Sequence, residues 1–564
     1  MKIKNIILTV LLSFSFFGCV DLDYNEVTVR DEEWVYNSPF AGIKNMVFDV
    51  YALTFSEFNP RYNYNGAIKA SATDEAEFAN SYSDIHGYYN GLWSPAVPYE
   101  YTWYYSYRAI AEIHTYLEKI DKVDLSEYIY DSNYQNMLQQ FELFPYELRF
   151  LRAYYYFELV KTYGDVPFVL TTLTNAEANS VVRAPANDIF KFIVEECDAI
   201  MEYLPYTYAT EPYSEIGRAN RPAVMALKAR TLLYAASPLF NTSNNKELWK
   251  QAAAASKDLL DKAGGWGIQL SEYSKLWGHD AFFNKEIILG IGQGSSNTFE
   301  TYNYPVGVEN GNSGNCPTQS LVDAYEYVSD GKTFKEKHPG QINVTQEDPY
   351  AGLDPRFALT VVKNGDSWPT NSTQRLTMQT YFGGFNGAPK YNATTTGYYL
   401  KKYVDGNCLT TYNNPTGTRH TWITYRLAEV YLNYAEAMYK YYGDADAKGD
   451  FGMSANEAIN VLRNRPDIKM PEFTGSAGFE ERYMRERMVE LAFEDHRFWD
   501  VRRWKKGGEY FANITVADLR MENSELILKR VTKARQWNDK FYLYPIPQTE
   551  RMKNSKLTQN PGWN

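Results

Sequence analysis

The chain has little of what redox, metal or nucleic-acid chemistry needs. Its 564 residues include 4 cysteines and 6 histidines. Cys19, Cys197, Cys316 and Cys408 form no CxxC pair, which excludes zinc-knuckle and dithiol motifs. The histidines, His86, His114, His279, His338, His420 and His496, make no HExxH, and there is neither a GxxxxGK[ST] loop nor a GxSxG elbow. No cofactor is implied. Positive charge is also short: 57 Lys plus Arg stand against 69 Asp plus Glu, a net charge of −12. That balance argues against a nucleic-acid protein, which needs a basic footprint. Mean hydropathy is −0.49, which excludes a multi-span membrane protein. What the chain has in excess is aromatic rings: 49 Tyr, 30 Phe and 12 Trp, or 16% of residues. With 44% hydrophobic residues, this is no disordered chain. So many rings must fill a large core, form a display surface, or do both.

The N-terminus sets the compartment. Lys2 and Lys4 precede an apolar run over residues 6–17, only 12 residues long and too short to span a bilayer comfortably. This is the pattern of a secretory signal. Phe16-Phe17-Gly18-Cys19 resembles the lipobox of bacterial lipoproteins, so Cys19 is the expected acylation site after removal of residues 1–18. Val20-Asp21-Leu22-Asp23 resembles the acidic surface-export tether of Bacteroidota lipoproteins, and residues 19–34 are the expected tether. Of the three remaining cysteines, at least one stays unpaired within the chain, and Cys197 falls in a helical pattern as a small core residue.

Two changes of texture divide residues 35–564. Residues about 100–263 and 420–505 read as helices, whereas residues 264–417 hold 20 of the 35 glycines and read as a loop-rich insertion. A short irregular tail is expected after 505. Leu427, Val430, Tyr431, Tyr434, Ala435 and Met438 share one face of a helix expected over 421–442, and Gly443 stops it. Ser454 with Glu457 makes a capping box ahead of a second helix ended by Pro466, and a third is expected over 480–504. Earlier helices are expected at 146–163, 187–203, 222–236 and 247–262. Hairpins of this length suggest a mainly α, tetratricopeptide-like scaffold with an irregular insertion.

These helices carry motifs that resemble the SusD/RagB family of Bacteroidota outer-membrane nutrient-binding lipoproteins. They are Leu151-Arg152-Ala153-Tyr154-Tyr155-Tyr156-Phe157 with Tyr163-Gly164-Asp165-Val166-Pro167, then Arg221-Pro222-Ala223-Val224, then Arg426-Leu427-Ala428-Glu429-Val430-Tyr431-Leu432-Asn433-Tyr434-Ala435-Glu436-Ala437. Glu490-Leu491-Ala492-Phe493-Glu494-Asp495-His496-Arg497, Phe498-Trp499-Asp500-Val501-Arg502-Arg503-Trp504 and the closing Asn560-Pro561-Gly562-Trp563 follow in order. The resemblance implies about four helical hairpins packed on a loop-rich ligand-binding region. It implies a surface protein, not an enzyme, that binds glycan (in some members peptide) and caps a SusC-like TonB-dependent transporter.

Arg152, Arg426 and Glu429 sit at core-like helical spacing and read as buried ion pairs. Glu490, Glu494 and Arg497 have the spacing of a helix-surface salt-bridge pattern rather than of a glycosidase pair. Asp444, Asp446, Gly449 and Asp450 suggest a Ca²⁺ loop, but Lys448 and Ala455 stand where oxygen ligands belong, so a solvated turn is expected. Sugar rings offer apolar C–H faces to aromatic rings and hydroxyls to amides, so ligand contacts are expected in aromatic loops. Tyr82, Tyr89, Asn90 and Trp93 form one candidate set; Phe299, Tyr302, Asn303 and Tyr304 form the other. Trp93, Tyr302 and Tyr304 lead, with Trp266, Trp277 and Trp368 behind them. A groove of backbone donors along a strand edge would instead favour peptide.

Overall fold

The structure is a computed structural model, and it describes residues 40–99, 101–210, 215–369, 375–412 and 415–563. Cys19, the signal segment and the tether lie outside the described residues. The long helices are α1 (Phe40–Tyr51), α2 (Thr102–Lys119), α3 (Tyr134–Tyr163), α4 (Ala186–Ile200), α5 (Arg221–Ala236), α6 (Lys246–Ala263), α7 (Leu427–Tyr442), α8 (Ala455–Arg463), α9 (Phe479–Glu490) and α10 (His496–Arg503). Each of α2 to α7 packs on the next, α1 packs on α3, and α8 and α9 both pack on α7. Between α6 and α7 lie only short helices and short strands. The fold is therefore mainly α, a run of helical hairpins with an irregular face.

Three sequence expectations need correction. Residues 421–426 are not helix: they form strand β5 (Thr421–Arg426), paired antiparallel with β2 (Ile287–Gly292). Helix periodicity begins only at Leu427, and the β-branched and aromatic Thr-Trp-Ile-Thr stretch before it finds a partner far away in sequence. The helix expected over 480–504 breaks between α9 and α10, where Phe493 (φ 63°) and Asp495 (φ 64°) adopt left-handed backbone. The tail is not irregular: it contains the longest strands, β6 (Asn513–Glu522) and β7 (Glu525–Ala534), joined by Asn523 and Ser524 at positive φ.

The break after α9 turns two carboxylates towards one arginine. Arg426, at the end of β5, is 1% exposed and reaches Glu286 at 2.9 Å, Glu490 at 2.8 Å and Glu494 at 2.7 Å. Arg356 adds contacts to Glu486 and Glu490, Arg465 to Glu286 and Glu490, and Lys402 to Glu494. Arg497 leaves this group and pairs with Asp74 at 2.7 Å. The helix-surface reading of Glu490, Glu494 and Arg497 is thus wrong: tertiary packing buries them, and their partners come from other elements. Glu429 pairs with Arg230 and Arg152 with Glu196, both largely buried. In the 444–450 turn Asp444 accepts from Ser476, and Asp446 accepts from Asn456 and the Gly475 amide.

Glu436 on α7 shows what such burial does to pH stability. Burial alone would raise its pKa, but the Arg503 guanidinium at 2.6 Å, with Arg487 nearby and a Tyr483 hydrogen bond, holds it down at about 2. A folded-state value below the unfolded one stabilises the fold above the unfolded value, and the gain is lost as pH falls towards the folded value. Wild-type stability is therefore expected to fall between pH 4.5 and 2. Glu436→Gln should be less stable at pH 7 yet lose less on acidification, as read by urea midpoints across that range.

Candidate ligand-binding site

Trp93, expected to face a ligand, is 2% exposed and sits in an aromatic cage. Its ring lies 4.7 Å from Tyr88, 4.6 Å from Tyr544, 5.3 Å from Phe541 and 5.0 Å from Trp563, centroid to centroid. The C-terminal segment closes over the 82–93 loop, an event no local pattern signals. Trp93→Ala is expected to cost about 3–5 kcal/mol of stability, as other buried large-to-small changes do, while the folded fraction keeps its ligand affinity. Urea unfolding and affinity electrophoresis on the same sample separate the two.

Tyr304 is also corrected to core: it is 2% exposed, its hydroxyl bonds the Asp405 and Cys408 carbonyls, and Trp368 packs edge-on at 5.5 Å. Asn303 is buried and structural, donating to the Phe299 carbonyl at 2.8 Å and accepting from Asn315. Phe299 is half-buried against Phe58. Tyr89 is half-buried under the Arg535 guanidinium, 4.0 Å from its ring centroid. Trp277 packs on Tyr273 and Lys402, and Trp266 packs partly buried on the helical core. Tyr82 and Asn90 are exposed, and Tyr302 is half-buried with its ring against Gly66, where any Cβ would collide with it.

The structure instead brings aromatics together in a cleft of about 770 Å³ between the 60–65 loop, residues 95–99, Tyr101, the first turn of α2 and residues 547–550. Tyr101 and Tyr104 are 62% and 59% exposed there. Tyr105 stands between them, 6.1 Å from Tyr101 and 5.2 Å from Tyr104, and its far side meets Tyr62 at 5.7 Å. Helix geometry fans consecutive residues about 100° apart, so the three aromatics in a row, Trp103-Tyr104-Tyr105, cannot all face the core. Trp103 is buried, and Tyr104 and Tyr105 are turned outward or half outward.

The frame of this cleft is stiff. Pro60, Pro95, Pro98 and Pro547 line it. Asn63 accepts from the Gly66 amide and donates to the Glu57 carbonyl, and the Gln548 amide donates to the Pro95 carbonyl at 3.0 Å. Tyr99, at φ 56°, lays its ring where a Cβ on Gly87 would stand. Partial burial and the nearby Asp84 carboxylate raise the Tyr99 pKa. Arg61 donates to the Ala52 carbonyl at 2.9 Å and holds its guanidinium 5.5 Å from the Tyr105 centroid. Asp84, Arg61 and Asn65 line the same space as the rings.

A second cleft, of about 720 Å³, lies beside β2. Phe48, Phe282 and Phe283 wall it, and Gly290 and Gly292 of the strand and Gly294 just past its end line it. Arg419 stands at this cleft.

Sequence reasoning missed Tyr101, Tyr104 and Tyr105 because residues from 100 on read as helix. The available signal was the density of Tyr101-Thr102-Trp103-Tyr104-Tyr105, flanked by Pro95 and Pro98. Cys197, Cys316 and Cys408 are buried and unpaired.

Helical hairpins that carry a stiff, loop-built aromatic cleft define the class: a helical-repeat scaffold with a binding face. The chain belongs to the SusD family. The family model described as "SusD family" matches residues 285–563, and the one described as "Starch-binding associating with outer membrane" matches residues 37–233. SusD-like protein P2 of Formosa agariphila is 22% identical over 428 residues, 73% of this chain and 73% of that protein. A SusD-like protein from Bacteroides fragilis has the same fold, with a TM-score of 0.75 and 26% identity over 94% of this chain and 98% of that one. A laminarin binding SusD-like protein superposes with a TM-score of 0.63 at 21% identity, covering 93% of this chain and 98% of that one.

Proposed function

We propose that this protein is a cell-surface lipoprotein, anchored through Cys19, that captures oligo- or polysaccharide in the tyrosine cleft and acts as the lid of a SusC-like TonB-dependent transporter. One observation carries the reading: Tyr101 and Tyr104 present largely exposed rings beside the polar side chains Asp84, Arg61 and Asn65 in a single stiff cleft. Such a pairing suits a sugar, which is apolar on its ring face and polar at its rim. The family descriptions and the laminarin binding relative support the ligand class. The absence of hydrolysis in this reading is supported by Glu490 and Glu494, which are locked to Arg426, Arg356 and Lys402 in the core and have no route to a sugar.

Affinity gel electrophoresis against a panel of polysaccharides tests the glycan reading. Retardation by at least one polymer is expected; clear peptide binding with no retardation would overturn it. The peptide alternative, with the same transporter as partner, has its own observation: the second cleft runs along β2, where Gly292 at the strand's end and Gly294 and Ser295 just beyond it are exposed, and an extended peptide could add there.

A further inference from the structure

The charges in the tyrosine cleft carry information about which glycans it admits. Three ionised side chains line it among the described residues: Arg61, Asp84 and Glu550. Glu550 is taken by Lys553 at 2.9 Å. Asp84 is exposed, and its carboxylate has neither a hydrogen bond nor an ion pair with any described residue. Its backbone is nevertheless well placed: it opens the short helix Asp84–Tyr88, which is capped by Ser83 and anchored by the buried Ile85 and Tyr88. Arg61 bonds one backbone carbonyl and lies over Tyr105, and no carboxylate among the described residues pairs with it. No ion pair joins Arg61 to Asp84, so both keep bonding capacity for a ligand.

We propose that the cleft selects uncharged glycans and that Asp84 is the group that rejects acidic ones. This rests on the reading of the cleft as the glycan site. An ionised carboxylate only accepts hydrogen bonds and a guanidinium only donates them, whereas a hydroxyl does both. Sugar hydroxyls can therefore donate to Asp84 while others accept from Arg61. A uronate or sulfate ester brings acceptors alone. Opposite Asp84 it would leave lone pairs unmatched and set two anions together in a cleft partly emptied of water. Arg61 does not reverse this, because its guanidinium is held by the Ala52 carbonyl and over the Tyr105 ring, whereas the Asp84 carboxylate has no partner among the described residues, and the whole chain carries −12.

The test uses the purified full chain and matched polymers. Laminarin, starch, xyloglucan, galactomannan and xylan are the neutral panel. The first four are also used after oxidation of their primary hydroxyls to carboxylates, and alginate and a sulfated galactan serve as natural polyanions. Affinity electrophoresis and titration calorimetry give the constants. At least one neutral polymer that has an oxidised counterpart is expected to bind, with the oxidised form about 10-fold weaker from like-charge opposition. Asp84→Asn keeps the shape and one acceptor but loses the charge. It should bring the oxidised polymer to within about twofold of the neutral one, with an unchanged melting temperature, since the Asp84 carboxylate makes no hydrogen bond or ion pair with a described residue. A polyanion that binds more tightly than every neutral polymer would overturn the proposal, as would an unchanged ratio in Asp84→Asn. No binding by any polymer, neutral or acidic, would overturn the glycan reading itself.

Discussion

Tyr101→Ala combined with Tyr104→Ala is expected to lower glycan affinity about 100-fold and leave the fold intact. Each ring lies largely in solvent, at 62% and 59% exposure, so its removal opens no cavity. Against a sugar face, an aromatic platform contributes about 1.5 kcal/mol beyond simple contact, and two contribute about 3 kcal/mol. Every 1.4 kcal/mol is a factor of about ten in binding. Affinity electrophoresis reads the loss, and a melting curve on the same preparation confirms the fold. Phenylalanine at both positions should retain most of the affinity, because stacking needs the ring and not the hydroxyl. If the double alanine variant binds as well as wild type, the tyrosine cleft is not the site, although family membership stands.

The second large effect concerns stability. Arg426→Ala is expected to destabilise the fold by about 3–5 kcal/mol, the range found when one partner of a buried ion pair is removed. The reason is what remains behind. Glu286, Glu490 and Glu494 are essentially without solvent contact and share Arg426 as a common partner. Burial alone would raise the Glu490 carboxyl; Arg465, Arg426 and Arg356 instead hold it well below its ordinary range. With Arg426 gone, the carboxylates face one another with fewer cations. Urea denaturation should show a lower midpoint. Glu494→Gln added to Arg426→Ala should recover part of it by removing one of the stranded charges.

How far the sequence could be read follows from which forces were local. The helices α3 to α8 were legible because apolar periodicity, caps and proline or glycine stops all lie within one short stretch. Even there, α3 begins at Tyr134, twelve residues before Tyr146, and runs through Pro145. Proline removes a hydrogen bond from the helix, yet burial of Phe144, Leu148 and Leu151 keeps the chain in line. β5 was misread because its partner, β2, lies more than a hundred residues away. The β6–β7 hairpin was missed because its turn, Asn523-Ser524, is a weak signal beside the surrounding charges.

The candidate site divides in the same way. The sequence by itself determined the helical scaffold, the family to which the chain belongs and the excess of aromatic residues, since each is written in contiguous motifs or in composition. Only the tertiary structure decided which aromatics are core and which are surface. Trp93 and Tyr304 sit in loops and are buried, whereas Tyr101 and Tyr104 sit at a helix start and are open. Exposure of a ring depends on what the distant chain lays over it. For Trp93 that is Phe541, Tyr544 and Trp563, more than four hundred residues further on, and no spacing near Trp93 encodes their arrival.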